Sequence, residues 1–438
     1  MSRRLIATPL SLGAPLLGVL VAGALLLSAS PAQAQELRRV HRLADYQPAP
    51  AVQTELLAVQ KQLDEGHGTD AIAALRALLT RQDDPAARFM LANALFGAED
   101  HEGAAREYTR ILVTFPYDIA VMGNLGRALF LADRRDEARQ WFARCVAEQE
   151  TPELLDLLAQ CHLDMGDYAA AILVLERRLA LDGGNNVVRT QLARLHLMCN
   201  DAREAVRLAQ EGLEQESLDA ELLRILANAH LREGVLDQAR IVLEVLEITE
   251  QATAADRRML ADLHLHGGAS FEAARLYRTL VAGGEPELED RRRLAIALWK
   301  SGEREAARDE LRELVQDSPE DAVLLLFFGR VLVVLAAYEE ALDPLQRAIV
   351  LDPRNAEALL LRAEACLRLG RLDEAELAFR EAAPLEGAGA RSLAGRGEVA
   401  LARGETEEAL ELYRQAQALD PADNRIYDRL LVLRKRYR

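Results

Sequence analysis

The amino-acid sequence predicts an all-α solenoid of about eleven helix-turn-helix repeats. Three observations predict it: a small residue at a fixed period, a turn-forming residue inside each period, and a helix-forming composition. Alanine recurs every 33 or 34 residues, at Ala71, Ala104, Ala138, Ala171, Ala205, Ala239, Ala273, Ala307, Ala341, Ala375 and Ala409. A fixed period of this length is typical of stacked helix pairs, so it indicates the fold class before any single motif is considered.

The composition supports helices rather than strands. Half of the 438 residues are hydrophobic, but only 5% are aromatic. A core built mainly from Ala, Leu and Val, with few aromatic residues, suits helices rather than strands. The formal net charge of −17 argues against non-specific binding to nucleic acid or to an anionic surface.

Residues 1–34 have the arrangement of a secretory signal peptide. A positive start at Arg3 and Arg4 precedes an apolar run and a small-residue cleavage site. We therefore expect cleavage between Ala34 and Gln35 and a periplasmic or secreted mature protein, which would not be an integral membrane protein. Two alternatives stay open: an uncleaved membrane anchor, because the apolar run approaches spanning length, and export by the twin-arginine route.

Each period contains two helices. A second small residue lies twelve places before most of the alanines, at Ala92, Gly126, Ala159, Ala193, Ala227, Ala261, Ala295, Gly329, Ala363 and Gly397. Between them a turn-forming residue recurs, at Gly166, Asn200, Gly234, Gly268, Gly302, Gly370 and Gly404. A large residue often follows the alanine four places later, as at Tyr108, Phe142, Leu175, Tyr277, Phe379 and Tyr413. Neither helix can bury its apolar stripe within one unit, so the units must stack.

The phase of the pattern sets the domain boundaries. Repeats are expected to start at 52, 85, 119, 152, 186, 220, 254, 288, 322, 356 and 390, so the array covers 52–423. Residues 35–51 carry two prolines and are predicted to be a linker. Residues 424–438 are predicted to be one final helix that covers the apolar surface of the last repeat.

The repeats resemble the tetratricopeptide repeat (TPR) family. The repeat at 322–355 carries Phe328-Gly329, Tyr338, Ala341, Leu345, Ala348 and Leu351-Asp352-Pro353 at the family's offsets. The resemblance covers 52–423, although the family's signature tryptophan is missing throughout. It implies a right-handed superhelix and, with the signal peptide, an exported bacterial scaffold protein.

Four histidines follow the same period, at His162, His196, His230 and His264. A metal site is one interpretation, and packing between the two helices of each repeat is the other. Equivalent side chains of stacked helices lie about 10 Å apart, too far to share one zinc ion. We therefore favour packing, and expect no metal, cofactor or catalytic site, because no catalytic motif accompanies the histidines. The sequence leaves open whether Cys145 and Cys161 form a disulfide or stay as buried thiols.

The resemblance places the binding surface on the first helix of each repeat, which lines a concave groove. The groove residues predicted to bind a partner are Phe89, Asn93, Asn124, Arg127, Arg224, Asn228, Arg258, Arg292, Arg293, Trp299, Lys300 and Phe327. Arg224, Asn228 and Arg293 match part of a carboxylate clamp that some family members use to hold a peptide C-terminus. The clamp is incomplete, because Met259 and Glu289 stand at its other places.

Two functions follow from this groove. We expect a non-catalytic scaffold that binds a protein or peptide partner, within a secretion, polysaccharide-export or outer-membrane assembly complex. The alternative is a binder of acidic polysaccharide or another polyanion through the arginines, since guanidinium groups recognise carboxylates. A third interpretation has no ligand at all: the arginines pair with nearby acids such as Glu221, Asp256, Glu289 and Asp290.

Overall fold

The structure is a computed structural model, and it describes residues 42–216, 218–283 and 287–436. The predicted signal peptide at 1–34 and the first part of the predicted linker lie outside the described residues.

The described residues form 23 α-helices, one short 3₁₀ helix at Leu43–Asp45 and no strand, which confirms the all-α repeat class. The chain divides into two compact units, which we call unit 1, ending at Ala229, and unit 2, beginning at His230. The helices of unit 1 are α1 (Pro50–Asp64), α2 (Gly68–Arg81), α3 (Pro85–Gly97), α4 (His101–Thr114), α5 (Ile119–Leu131), α6 (Arg135–Glu148), α7 (Pro152–Asp164), α8 (Tyr168–Leu181), α9 (Asn186–Met198) and α10 (Ala202–Gln215). Helix α11 (Ala220–Glu233) contains the division.

Unit 2 continues with the same alternation of helices. They are α12 (Leu236–Ile248), α13 (Ala254–His266), α14 (Ser270–Ala282), α15 (Leu288–Ser301), α16 (Arg304–Asp317), α17 (Ala322–Val334), α18 (Tyr338–Leu351), α19 (Ala356–Arg368), α20 (Leu372–Ala382), α21 (Gly389–Arg403), α22 (Thr406–Leu419) and α23 (Asn424–Arg436). Odd-numbered helices from α1 to α21 are the first helices of the repeats, and even-numbered helices are the second. Helices pack mainly on their neighbours along the chain.

Side-chain caps explain why the first helices begin where they do. Asp84 and Asp118 accept hydrogen bonds from the backbone N–H groups of the first turns of α3 and α5. Asn185, Asp321 and Asn355 do the same for α9, α17 and α19. Each cap satisfies N–H groups that have no partner inside the helix, so a polar residue before an apolar stripe fixes the start of the helix.

The turn inside each repeat requires one residue with positive φ. All seven turn residues predicted from the sequence have it, and Asn200 at +63° is the non-glycine among them. The turns after α3, α5 and α17 instead use Glu99, Asp133 and Ala336, at φ between 59° and 63°. A β-carbon in this conformation costs about 1 kcal/mol, so these three turns are strained relative to the glycine turns.

The repeating alanines form the centre of the core. Every one of the eleven has a relative exposure of 0%. The second small residue gives room to the large residue of the neighbouring helix: a β-carbon on Gly126 would lie 2.6 Å from the Phe142 ring, and one on Gly329 would lie 2.5 Å from Leu345. The two small positions thus let paired helices approach closely.

The C-terminal helix α23 buries Ile426, Leu430 and Leu433 against Tyr413 and Ala416 of the last repeat. These are the positions at which the sequence places an apolar face. The face removes from water an apolar surface that the last repeat would otherwise expose.

The longest described helices have 15 residues, and none has the length and apolar character needed to cross a bilayer. Cys145 and Cys161 are buried free thiols. Burial raises the pKa of both thiols to about 11. They are therefore protonated and unreactive at neutral pH.

Candidate functional site: the first-helix surfaces

The predicted partner-binding residues all lie on first helices. Unit 1 carries Phe89 and Asn93 on α3, Asn124 and Arg127 on α5, and Arg224 and Asn228 on α11. Unit 2 carries Arg258 on α13, Arg292, Arg293, Trp299 and Lys300 on α15, and Phe327 on α17. We call the faces formed by these helices the first-helix surface of each unit.

In unit 1, four of these residues converge on a tyrosine that the sequence analysis did not assign to the site. The Tyr108 hydroxyl, from α4, donates a hydrogen bond to Asn93 Oδ1 at 2.5 Å. The Phe89 ring meets the Tyr108 ring edge-on, with 6.0 Å between centroids. Burial raises the pKa of Tyr108 to about 12, against opposing effects from Asn124 and Arg127. The Tyr108 hydroxyl therefore keeps its proton at neutral pH and can donate a hydrogen bond.

Arg127 and Asn124 are joined to each other as well, because an Arg127 guanidinium nitrogen donates to Asn124 Oδ1 at 3.2 Å. Arg127 and Asn93 are exposed, whereas Phe89 and Asn124 are half-buried. On α11, the Asn228 side-chain amide donates to the backbone oxygen of Arg224 at 2.9 Å. One of the two N–H donors of the Asn228 amide is thus engaged on its own helix.

Unit 2 has the same arrangement with charged residues. The Tyr277 hydroxyl donates to Asp262 Oδ1 at 2.6 Å. Arg293 donates to the same Asp262 oxygen and, at 3.1 Å, to Glu289. Burial, and then the hydrogen bond to Asp262, raises the pKa of Tyr277.

A third tyrosine repeats the geometry at the end of the chain. Tyr413 donates to Glu398, and Arg429 of α23 donates to the other oxygen of Glu398 at 2.8 Å. In all three cases the tyrosine bonds a residue fifteen places earlier, and a third polar side chain stands sixteen places later. We call these trios the tyrosine nodes. Their spacing was visible in the sequence and offered a signal that clamp positions are bonded within the scaffold.

The remaining arginines of unit 2 also have carboxylate partners. Arg258 makes a bidentate pair with Asp290, at 2.7 and 2.8 Å, and reaches Glu287 at 2.9 Å. Asp290 is only 3% exposed, whereas the Arg258 side chain is 32% exposed, so it is the carboxylate that is desolvated. Arg292 donates to Asp321 Oδ2 at 2.6 Å. The arginine patch is therefore neutralised by acids on the same surface.

The pairing differs in detail from the pairs considered on sequence grounds. Glu289 and Asp290 are partners as expected, whereas Asp262, Asp321 and Glu287 were not foreseen. Asp256 forms the capping box of α13 with Thr253. Residue spacing alone does not show which carboxylate of a neighbouring repeat lies nearest, since that depends on how the repeats stack.

Trp299 and Phe327 lie in contact, with perpendicular rings 6.1 Å apart. Both are half-buried and pack against the apolar cluster of unit 2 that includes Leu325 and Phe328. Lys300, next to Trp299, is exposed. These aromatic residues therefore contribute to packing, and part of each ring remains available at the surface.

Each first-helix surface has a cavity. In unit 1 it measures about 1140 Å³ and is lined by apolar residues that include Leu56, Leu63, Phe89 and Met90, with Asn93 among them. Unit 2 has one cavity of about 630 Å³, lined by Met259, Ile296, Asp262, Arg293 and Lys300, among others. Another cavity of unit 2 measures about 920 Å³ and is lined by residues that include Leu360, Arg368, Glu398 and Arg429. The unit 1 cavity is thus mainly apolar, whereas the unit 2 cavities carry charge.

The four periodic histidines do not meet one another at a common site. His162 Nδ1 lies 3.2 Å from Asp167, and His196 Nδ1 lies 3.2 Å from Asp201. These aspartates cap α8 and α10, so each histidine links its own helix to the start of the next. Among the residues that the structure describes, no group of three or more His, Cys, Asp and Glu side chains is placed to hold a metal ion.

His230 and His264 have no capping aspartate, since Val235 and Ala269 stand at that place. Their side chains are 9% and 8% exposed. Burial lowers the pKa of both imidazoles, and Glu244 opposes the shift at His264. All four rings thus act in packing between paired helices.

Comparison with protein families agrees with this architecture. Three tetratricopeptide repeat models match the chain: one at residues 95–161 and 162–228, another at 56–119 and 386–424, and a third at 291–313. The chain belongs to the TPR family. A model described as anaphase-promoting complex, cyclosome, subunit 3 matches residues 305–382. The TPR fold indicates a role in protein–protein interaction, and TPR proteins are generally non-catalytic scaffolds.

Solved structures resemble this TPR chain at low identity. A chain from a structure of Naa15/Naa10 bound to HypK-THB is 15% identical, with a TM-score of 0.46; the match covers 87% of this chain and 66% of that one. MamA from Desulfovibrio magneticus RS-1 is 20% identical, covers 39% of this chain and 97% of its own, and has a TM-score of 0.37. A chain of the APC/C hetero-tetramer Cut9-Hcn1 is 13% identical, with coverages of 86% and 95% and a TM-score of 0.36. No curated protein matches the chain.

Proposed function

We propose that this TPR protein is a non-catalytic scaffold that binds a protein or peptide partner in the unit 1 cavity. The observation that carries the proposal is the cavity of about 1140 Å³ with apolar walls on the first-helix surface. Leu56, Phe89 and Met90 offer apolar area, and Asn93 stands among them as a polar group. Such a combination suits the aliphatic or aromatic side chains of a polypeptide, with the polar group fixing orientation.

The arginine-rich surface of unit 2 gives less support to the alternative, an acidic polysaccharide. Arg258, Arg292 and Arg293 already bond to carboxylates. A polyanion would have to break these pairs and leave buried acids such as Asp290 without a cation. We therefore place the partner in unit 1.

Export to the bacterial cell envelope is the second part of the proposal. It rests on the signal-peptide pattern of residues 1–34. A scaffold there would serve in assembling a secretion, polysaccharide-export or outer-membrane complex. N-terminal sequencing of the protein recovered from the periplasm should begin at Gln35; a full-length protein retained with the membranes would contradict this part.

The binding proposal is tested by affinity capture from the native cells with three forms of the protein. Met90→Lys places a charge in the half-buried wall of the cavity, whereas Val113→Lys makes the same change at a residue that is 56% exposed on α4. We expect a partner captured by the wild type and by Val113→Lys but lost with Met90→Lys. The proposal is contradicted if both variants capture the same proteins as the wild type.

The same experiment separates the polyanion alternative. Binding would be assigned to unit 2 instead if capture is lost in high salt and in an Arg292→Ala, Arg293→Ala double variant. In that case Met90→Lys should have no effect on capture. This contrast exists because contacts with a polyanion are screened by salt and apolar contacts are not.

A further inference from the structure

The residues before the first repeat lie across neighbouring helices of unit 1. Residues 42–49, which we call the N-terminal strap, precede α1 and pass the beginnings of α3 and α5. The Leu43 backbone N–H donates to Asp118 Oδ2 at 2.8 Å, and the Tyr46 hydroxyl donates to Asp84 Oδ2 at 2.8 Å. The Tyr46 ring also meets the Phe115 ring edge-on, with 6.1 Å between centroids. The strap is thus anchored at two points.

The two acceptors of the strap occupy equivalent places in successive repeats. Asp84 and Asp118 are 34 residues apart, and each uses Oδ1 to cap its own helix. Oδ2 of each carboxylate accepts from the strap. With the strap in place, Asp84 is 0% exposed and Asp118 is 6% exposed, so the strap helps to cover both carboxylates. A ligand that replaces the strap must bring N–H or O–H donors to these oxygens.

The other half of the strap contact is apolar. Leu43 and Ala44 form one side of the unit 1 cavity, beside Ala86 and Ala120 in the first turns of α3 and α5. Leu43 and Tyr46 are both half-buried by this packing. A short segment with one 3₁₀ turn is thus held at the mouth of the cavity by two carboxylate oxygens, an aromatic contact and an aliphatic contact.

We propose that the strap is an internal ligand of the unit 1 first-helix surface, which a partner must displace with a segment of the same chemistry and the same 3₁₀ turn. That segment has an aliphatic residue whose backbone N–H faces Asp118 and, three places later, a tyrosine whose hydroxyl faces Asp84. This proposal rests on the proposed function, because it assigns regulation and partner chemistry to the same cavity.

The tether gives the strap an advantage over any partner. A short flexible connection supplies an effective concentration on the order of 1 mM. The strap fills about nine-tenths of its sites only if the free segment binds with a Kd of about 0.1 mM or less, a tenth of the effective concentration. Breaking the strap should therefore raise the apparent affinity for an added segment at least about tenfold.

The test uses the purified protein and a dye-labelled synthetic peptide of residues 42–49. In the Leu43→Pro, Tyr46→Ala variant, proline removes the N–H at the first position of the 3₁₀ helix, where its ring fits, and alanine removes the hydroxyl and the ring. The matched control is Gln47→Ala, an exposed position in the same strap. We expect the double variant to bind the peptide with a Kd of about 0.1 mM or less. The wild type and the control should bind it at least about tenfold more weakly.

A second variant checks the acceptor. Asp84→Asn keeps a good helix cap but replaces the acceptor that faces Tyr46. Added to the double variant, it should weaken peptide binding, as should a peptide with phenylalanine in place of tyrosine. Unchanged helicity by circular dichroism shows that each variant has folded.

Three results would overturn the proposal. One is equal peptide binding by wild type, control and double variant. Another is no binding to the double variant at millimolar peptide. The third is a wild-type dimer that dissociates in the double variant, because the strap would then occupy a second copy. Because the probe is the chain's own segment, the two proposals can fail separately. Peptide binding as expected, together with failed partner capture, contradicts only the proposed function. A captured partner that binds the wild type and the strap variant with the same affinity contradicts only this inference.

Discussion

Tyr277 and Arg293 bond to the same oxygen of Asp262, one from the second helix of a repeat and the other from the first helix of the next. Arg293 is also the residue that matches the last place of the carboxylate clamp. The clamp place is therefore used to join repeats.

Removing one hydroxyl from a node should weaken the fold. Tyr277 is 0% exposed, so Tyr277→Phe keeps the buried ring but takes a donor from Asp262. We expect a loss of about 1–2 kcal/mol in the free energy of unfolding, as for a hydrogen bond to a charged group. Urea denaturation measures it. The control Tyr427→Phe, at a residue 46% exposed, should change little, and equal losses in both variants would contradict the node.

Arg258 should matter for stability more than for ligand binding. Arg258→Ala leaves Asp290, which is 3% exposed, without its bidentate partner. We expect a loss of about 2–4 kcal/mol, because an uncompensated buried charge is costly. Lys300→Ala removes a cation from an exposed place on the neighbouring first helix and should be neutral. Thermal unfolding compares the two, and an unchanged melting temperature for Arg258→Ala would refute the structural role.

The close packing of small and large residues predicts opposite outcomes for two glycines of α5. Gly126→Ala would put a β-carbon 2.6 Å from the ring of Phe142, which is 0% exposed. We expect about 1–3 kcal/mol of destabilisation from overpacking. Gly123→Ala meets no atom within 4 Å and should be neutral or stabilising, since alanine favours helix. Recovery of Gly126→Ala by Phe142→Leu, seen in denaturant midpoints, would identify the clash as the cause.

Substitutions at two turn residues with positive φ should change the stability in opposite directions. Ala336 has φ of 59°, so Ala336→Gly should stabilise unit 2 by about 1 kcal/mol. Gly302 has φ of 91° and open space around it, so Gly302→Ala should cost about the same through backbone strain alone. Calorimetry of both variants tests the pair. If both variants change the stability in the same direction, backbone conformation at these turns does not determine the effect.

The buried histidines predict a pH dependence. Burial lowers the pKa of His230 in the folded state, so the unfolded state takes up the proton first as the pH falls. The stability that the neutral ring contributes is complete above the unfolded pKa of about 6.5 and is lost below it. His230→Leu supplies the residue that other repeats carry at this place. As the pH falls from 7.5 to 5.5, the free energy of unfolding of the variant should rise relative to that of the wild type, as measured by urea titrations. A difference between the two proteins that does not change with pH would exclude the effect.

The fold was predictable because its signals are local and repeated. The eleven alanines recur in the sequence because each stands at a fully buried crossing point, and the predicted turns recur because each needs positive φ. In three repeats the turn-forming residue was not recognised, because the residue with positive φ is Glu99, Asp133 or Ala336 instead of glycine or asparagine. These residues adopt the positive φ with some backbone strain.

The site was less predictable, since its contacts depend on stacking. Spacing placed Arg258 and Arg293 on the first helices, but only the packed repeats show that Asp290 and Asp262 lie against them. The strap makes two non-local hydrogen bonds, whose partners are separated by 38 and by 75 positions in the sequence. No periodic pattern in the sequence predicts them. Its two acceptors were visible only as helix caps.

Because each helix packs mainly on its neighbours along the chain, no segment has to wait for a distant one before it folds. A polypeptide that becomes free to fold from its N-terminus onward can thus acquire structure progressively, a few dozen residues at a time, without closing a long loop. The strap is the exception. Its acceptors follow it in the chain, so it is the first described segment to emerge but can be seated only after the first two and a half repeats have formed.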